Sequence, residues 1–482
     1  KYYKPHIMKK KLLLIGALIL SIGLAWNFSN QESDVEKLRK KHAEFLKNHP
    51  YNKTLALSKK ERKAMGIPPN KYFEQEYLLE MNPATGRTHP ENYIKVQEEL
   101  RNQRLAQRVP GDASDNPWIE RGPNNIGGRT RMVMFDPNDT NHKRVFAGGV
   151  SGGLWVNNDI TDANSSWTRV GIPENLAVST MTVDPNNSQI FYLGTGESYT
   201  GDDGVGNGVW KSTDGGANWT SVLRDEFNTD TRKRINYIND IVAWNNPSTN
   251  KTEVLVAVAR AYYAEGGAYI GDHGVWKSTD DGANWSEINV TISGGSNYII
   301  NDFEVGADNT IWAGTNRNTF GDGGGIVLKS TDGTAFTVAH TIPNGRRVEL
   351  AVSKTNKDKI YILNSTNDKP TMWITTDGFS NVSSIVLPQD VDTHSRMNGD
   401  FTGGQSWYDL VLAADPTNDN NVYIGGINLF RSSNSATSWT QISKWSNNNA
   451  LAGLGVSLVH ADQHGLAFHP TDGDKAIVGN DG

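Results

Sequence analysis

The sequence predicts an all-β fold: a seven-bladed β-propeller whose last blade is incomplete, preceded by an α-helical N-terminal segment. Two interleaved repeats predict it. The stretch GVWKSTDGGANW (208–219) returns almost letter for letter as GVWKSTDDGANW (274–285). Looser copies lie at 327–336, 372–379 and 429–439, with an early relative at 154–167. A second pattern, two short apolar strands around a turn of the Asp/Asn-Pro kind, occurs seven times, from MVMFDPNDTNHKRVFAGG (132–149) to LAFHPTDGDKAIVGN (466–480). Each of its first six copies is followed by one copy of the first repeat, so two hairpins make a four-stranded unit.

From the N-terminus, residues 1–29 form a signal-peptide region. Three lysines (Lys9 to Lys11) precede the apolar run Leu12–Ala25, which is short for a membrane span and ends in a small-x-small site. Met8 is the expected start. Residues 30–110 are basic and helical in pattern. Ser33-Asp34-Val35-Glu36 and Ser58-Lys59-Lys60-Glu61 read as capping boxes, and further helices are expected from Asn70 to Met81 and from Pro90 to about Arg108. GDASDNP (111–117) is a linker, and 118–482 is the propeller, truncated in blade seven. Trp118-Ile119-Glu120-Arg121 resembles the outer strands that follow the turns, so it is expected to supply the outermost strand of the closing blade. At least one strand is then missing, the natural protein is expected to continue past Gly482, and a closed ring is not expected within this chain.

Composition narrows the function classes. With no cysteine, disulfides, thiolate metal sites and a lipoprotein anchor are excluded. Residues 1–110 carry 21 Lys and Arg against 11 Asp and Glu, and the remainder 26 against 42. The repeat region is therefore acidic, which argues against nucleic acid as a partner.

In the first repeat, short Ser and Asp side chains take hydrogen bonds from the turn's own amides, Gly supplies the positive φ, and the Trp plugs the hairpin. Ser212, Asp214, Trp219, Ser278, Asp280, Trp285, Asp332, Asp377 and Trp439 are read as structural on that ground. Ser-x-Asp-x-Gly-x-x-Trp resembles the Asp box, or bacterial-neuraminidase repeat, of sialidases, sortilin-type receptors and xyloglucan-cleaving glucanases, all β-propellers. The resemblance implies that these turns lie away from the binding face. The segment LSKKERKAMGIPPNKYFEQEYLLEMNPATG (57–86) resembles the leaders of repeat proteins exported by Bacteroidota. That resemblance implies type IX secretion through a C-terminal domain absent here, the secretion machinery as a partner, and a location outside the cell or on the outer surface of a Gram-negative bacterium.

Candidate ligand-binding residues fall on the loops of the opposite face. Three successive blades carry Gly-Asp-x-Gly before their third strand, contributing Asp202, Asp272 and Asp322, with Tyr199 nearby. Carboxylates beside aromatic rings can stack sugars or hold calcium; ordinary turn chemistry explains the same residues. The connections between blades add Arg129, Arg131 and Asp409. They also add His460, Asp462 and His464, whose alternation places them on one side of a strand, where they form either a metal site or, preferred, a polar network at the propeller centre.

No catalytic constellation emerges. The Phe/Tyr-Arg-Ile-Pro signature of sialidases is absent. In the xyloglucan-cleaving enzymes, the resemblance places a catalytic Asp where this chain has Val150, before Ser151-Gly152-Gly153-Leu154-Trp155. No convincing carboxylate pair for glycoside hydrolysis stands out, Glu197 with Asp202 being a candidate. The expectation is an exported propeller binding a glycan or a cell-surface protein, with no cofactor required and calcium admitted; the alternative is a glycoside hydrolase.

Overall fold

The computed structural model describes residues 34–48, 57–64, the isolated positions 82, 95–96 and 99, and the chain from 128 to 482. Exceptions in the last stretch are 173–175, 200–203, 205, 225–234, 261–262, 266–267, 271–272, 319–320, 393–396 and 398. The chain divides into two compact units, Lys1–Trp118 and Ile119–Gly482.

In the first unit, α1 spans Asp34–Asn48 and α2 spans Lys59–Ala64. The second capping box forms as expected: the Ser58 N–H donates to Glu61 Oε2 at 2.8 Å, and the Glu61 N–H donates back to Ser58 Oγ at 3.3 Å. The signal region and the stretches 70–81 and 101–108 lie outside the described residues. None of the described helices is long and apolar enough to cross a membrane.

In the second unit, six antiparallel four-stranded sheets follow one another along the chain. The first contains β1 (Thr130–Phe135), β2 (Val145–Gly149), β3 (Leu154–Asn157) and β4 (Trp167–Arg169). The second contains β5 (Val178–Val183), β6 (Phe191–Thr195), β7 (Val209–Ser212) and β8 (Thr220–Leu223). The third has β9 (Tyr237–Asn246), β10 (Lys251–Arg260), then β13 (Gly274–Ser278) and β14 (Ser286–Ile288), with a small extra hairpin, β11 (Tyr263–Glu265) and β12 (Ala268–Ile270), in its loop. The fourth has β15 (Ile299–Val305), β16 (Ile311–Asn316), β17 (Ile326–Ser330) and β18 (Thr337–Thr341). The fifth has β19 (Gly345–Val352), β20 (Ile360–Thr366), β21 (Lys369–Thr375) and β22 (Ser383–Ile385), and the sixth β23 (Val411–Ala414), β24 (Val422–Gly425), β25 (Leu429–Ser432) and β26 (Thr440–Gln441). A short parallel pair, β27 (Ser443–Lys444) and β28 (Ser457–Leu458), precedes a two-stranded sheet, β29 (Gln463–His469) and β30 (Asp472–Asn480).

The fold is an all-β propeller, and its blade count corrects the expectation: six four-stranded blades among the described residues rather than seven. The first strand of each sheet packs on the first strand of the next. β29 touches both β23 and β1, so the inner circle closes within this chain, contrary to the expected open ring. Two inner strands suffice for that contact, because closure of the inner circle does not need the outer half of a blade. Trp118–Arg121, expected as an outer strand, lies outside the described residues.

Five apolar clusters form the core, one at each junction between consecutive four-stranded blades. The second strands must let the next blade approach. A Cβ on Gly148 would lie 2.4 Å from Val178 Cγ1, and one on Gly194 would lie 2.7 Å from Ile238 Cγ2. That close approach explains the Gly that ends the recurrent FAGG and YLGTG strands.

The Ser-x-Asp turns join third to fourth strands. In the best copy, Asp214 Oδ1 accepts the Asn218 N–H at 2.8 Å, the Gly216 N–H donates to Ser212 Oγ at 2.9 Å, and the Trp219 indole N–H donates to the Gly216 carbonyl at 2.9 Å. Hydrogen bonds from Asn218 hold the Asp214 carboxyl at about 2. Asp280 and Ser278 repeat the arrangement with Asn284 and Gly282, and Trp285 donates to Gly282. Asp332 accepts from Thr334 and Ala335, and Asp377 from Asn381, without a Trp. Trp439 donates instead to the carbonyl of Val386.

Candidate functional site

Five of the inner strands, β1, β5, β9, β15 and β19, break register near their first residues. Such bulges aim side chains away from their own ladder. Here they reach the neighbouring blade. Ser179 Oγ donates to the Ile238 carbonyl at 2.6 Å; Asn239 Nδ2 donates to Ile300, and Asn301 Nδ2 to Val348, both at 3.0 Å. The next residue along reverses the direction. Asp240 Oδ2 accepts the Phe303 N–H at 2.7 Å, and Asp302 Oδ2 accepts the Leu350 N–H at 2.6 Å. Burial pushes Asp240 up to about 7 and Asp302 well above the usual carboxylate range.

Where blades one, two, five and six meet, the same positions carry charge. Arg131, on β1, donates to Glu197 Oε1 at 2.6 Å and to the Tyr408 carbonyl at 3.3 Å. Arg129 donates to the other oxygen, Glu197 Oε2, at 3.0 Å. Arg347, on β19, donates to Glu349 and to the carbonyls of Tyr408 and Leu410. The Tyr199 ring lies between two guanidinium groups, 4.6 Å from Arg131 and 4.3 Å from Arg347, and its hydroxyl donates to Asn301 Oδ1 at 2.7 Å. Tyr408 donates to Asp481, and so does His464 Nε2, at 2.6 Å, with the His464 ring edge-on to Tyr408.

Burial dominates the electrostatics of this cluster. It lowers Arg131 from its usual value against the pull of Glu197. It is the largest influence on Arg347 too, but Glu349, Tyr199 and Asp409 together outweigh it and the net shift is upward. It pushes Tyr199 up to about 12 and, with Arg131, takes His464 down to about 3, so this imidazole is neutral at physiological pH. Asp409 is fully buried, and neither carboxyl oxygen has a hydrogen-bond partner among the described residues. Burial, with Asp462 next, raises it well above the usual range.

The sequence-derived candidates therefore divide. Arg129, Arg131, Tyr199 and His464 converge on one cluster, and Glu197 joins them as their counter-ion. Glu197 is sealed, with no side-chain exposure and both oxygens held by arginines. Asp202 and Asp272 lie outside the described residues. Asp322 is exposed on the loop between β16 and β17, its N–H held by Asn318. His460, Asp462 and His464 do not alternate along one strand. β29 begins at Gln463, Asp462 has a positive φ of 63°, and His460 points its Nδ1 to the neighbouring Ala461 carbonyl. No group of three or more His, Asp or Glu side chains among the described residues can hold a metal ion. Arg131 lies within β1 rather than in a connection between blades.

No family model matches the chain. An alignment of 183 positions, covering 32% of this chain, is 25% identical to the xyloglucanase Xgh74A of Acetivibrio thermocellus and covers 19% of that enzyme. The GH74 xyloglucanase of Xanthomonas campestris superposes with a TM-score of 0.50 at 16% identity, over 74% of this chain and 51% of that one. YCF48 of Cyanidioschyzon merolae superposes with a TM-score of 0.45 at 14% identity, over 74% and 95%. The chain spans about a fifth of the curated relative and about half of the solved xyloglucanase. At this identity the likeness shows the fold, a β-propeller of the kind glycoside hydrolases use, and fold alone does not fix chemistry.

Val150, at the place the xyloglucanase resemblance assigns to a catalytic Asp, is buried. Its N–H donates to the Arg129 carbonyl at 2.9 Å. Sequence reasoning missed Tyr408, Glu349, Asp481 and the Asn-Asp pairs 239–240 and 301–302. The pairs carried a signal: Ile-Asn-Asp recurs at the same place of two consecutive inner strands. Tyr408, Glu349 and Asp481 carried none.

Proposed function

We propose that this chain is an exported β-propeller that binds a glycan or a cell-surface protein without turning it over. The observation that carries the reading is Glu197: it is charge-paired twice, closed to water, and unable to approach a substrate. A hydrolase of this kind needs two accessible carboxyls about 6.5–9.5 Å or about 5 Å apart. The arginine–tyrosine cluster around Glu197 serves to lock the blades at the axis, leaving the loops around it to recognise the ligand. The Ser-x-Asp turns are read as Asp boxes, supported by their hydrogen bonds, and β29–β30 as the inner half of a seventh blade, supported by its seat between β23 and β1. Export to the outer surface of a Gram-negative bacterium, through type IX secretion, is supported by the Lys9–Ala25 segment and the helical leader. No cofactor is required, and calcium is admitted at the Gly-Asp-x-Gly loops. Nucleic acid is not a partner.

A glycoside hydrolase is the second reading, favoured by the 183-position alignment with a xyloglucanase. The deciding experiment incubates the full chain with xyloglucan and other plant and host glycans and follows both binding and release of reducing ends. Retention without release supports the module. Release by the wild type that Asp202→Asn abolishes supports the hydrolase.

A further inference from the structure

A cavity of about 380 Å3 opens beside the sixth blade, on the loop side that carries the axial cluster. Its walls come from three separate connections. Asp392, Met397 and Gln405 lie between β22 and β23, Ile427 between β24 and β25, and Trp445 after β27. Trp445 is 41% exposed, although an indole is among the costliest surfaces to leave in water. Its ring is held in place: the indole N–H donates to Asp392 Oδ2 at 2.9 Å, and Asp392 itself is 6% exposed. The buried carboxylate thus anchors the edge of the ring and leaves a flat apolar face towards the cavity. Gln405 donates its Nε2 hydrogen to Asp462 at 3.3 Å, which leaves the amide oxygen at the wall as an acceptor.

From this geometry we infer that the cavity is a subsite for one ring of a neutral sugar, stacked on Trp445. The inference rests on the reading of the propeller as a binding module. The volume is at the low end of ligand sites, which suits a single ring rather than a peptide segment. Among the described lining residues, Asp392 is the one ionisable side chain and the others are uncharged, which suits a neutral ligand better than an anionic one. A pyranose offers what the walls ask for: an apolar face of C–H groups for the indole and hydroxyls for the amide.

The test titrates the full chain with cellotetraose, mannotetraose and a xyloglucan oligosaccharide, following tryptophan fluorescence and heat. Trp445→Ala is compared with Trp167→Ala, which removes an equally exposed indole from β4, far from the cavity in the first blade. Loss of one stacked ring corresponds to roughly tenfold weaker binding. Binding weakened about tenfold by Trp445→Ala and untouched by Trp167→Ala supports the subsite. Equal binding by wild type and both variants overturns the subsite and leaves the binding module standing. Absence of sugar binding by a wild-type chain that binds a tetraalkylammonium probe overturns the sugar assignment in favour of a cation. Release of reducing ends from any of the three sugars overturns the module reading itself.

Discussion

Glu197 Oε1 and Arg131 Nη2 lie 2.6 Å apart, with side-chain exposures of 0% and 4%. Their other partners are Arg129, beside the first strand of the first blade, and the Tyr408 carbonyl, ahead of the sixth, so this pair is the keystone of the axial cluster. Glu197→Gln keeps the shape and removes the charge, so the buried Arg131 loses its carboxylate partner. Removing one partner of a buried pair costs about 3–5 kcal/mol. Urea denaturation of the variant is expected to show that loss. A variant as stable as the wild type would show that the pair is not structural.

Asp240 gives a pH dependence whose sign is fixed. Its ordinary value is 3.8, and burial raises it to about 7 against hydrogen bonds from Thr180, Phe303 and Ile241. An acid raised in the folded state contributes stability that is full below about pH 4 and is lost as pH rises through about 7. Asp240→Asn removes that titration. Between pH 5 and 8 the wild type is expected to lose stability more steeply than the variant, by on the order of 2–4 kcal/mol. The readout is the slope of the unfolding free energy with pH, because the amide also places a donor against the Phe303 N–H and lowers the baseline. Parallel slopes would count against a buried, raised Asp240.

The blades were legible in the sequence because their information is local. Ser212, Asp214 and Trp219 form their contacts within eight residues, and the alternation of each strand is read along the strand itself. The blade count differs only in the last unit: the sequence reads its inner hairpin as an incomplete seventh blade, and among the described residues that hairpin stands as the two-stranded sheet β29–β30. The axial cluster was only half legible. Arg131 and Glu197 are 66 positions apart, and Arg129 and Tyr408 279 apart, so no local spacing announces either pair. The left-handed Asp462 also broke the alternation that had aligned His460 with His464.

His464 titrates in the opposite sense from Asp240. Its ordinary value of 6.5 is taken down to about 3, first by burial and then by Arg131, with Asp481 opposing. A base lowered in the folded state contributes stability that is present above about pH 6.5 and is lost as pH falls through about 3. His464→Gln retains a donor towards Asp481 and cannot ionise. On acidification from pH 7 to 4, thermal melts of the wild type are expected to fall faster than those of the variant. Identical acid profiles would mean that folding does not lower the His464 imidazole.

The Ser-x-Asp turn separates two kinds of contribution that the repeat presents as one motif. Trp219 is 7% exposed, packs in the cluster between the first two blades and lies 6.4 Å from Phe191. Trp219→Ala opens a cavity and is expected to cost about 3–5 kcal/mol. Asp214 sits in solvent, where its loss removes turn hydrogen bonds worth about 1 kcal/mol net. Asp214→Ala should therefore melt only slightly below the wild type, and Trp219→Ala far below it. Neither should weaken ligand binding at the loop face, since the turn lies at the opposite end of its strands. An Asp214→Ala variant that folds normally yet loses binding would reverse the assignment and make the recurrent Asp a ligand group.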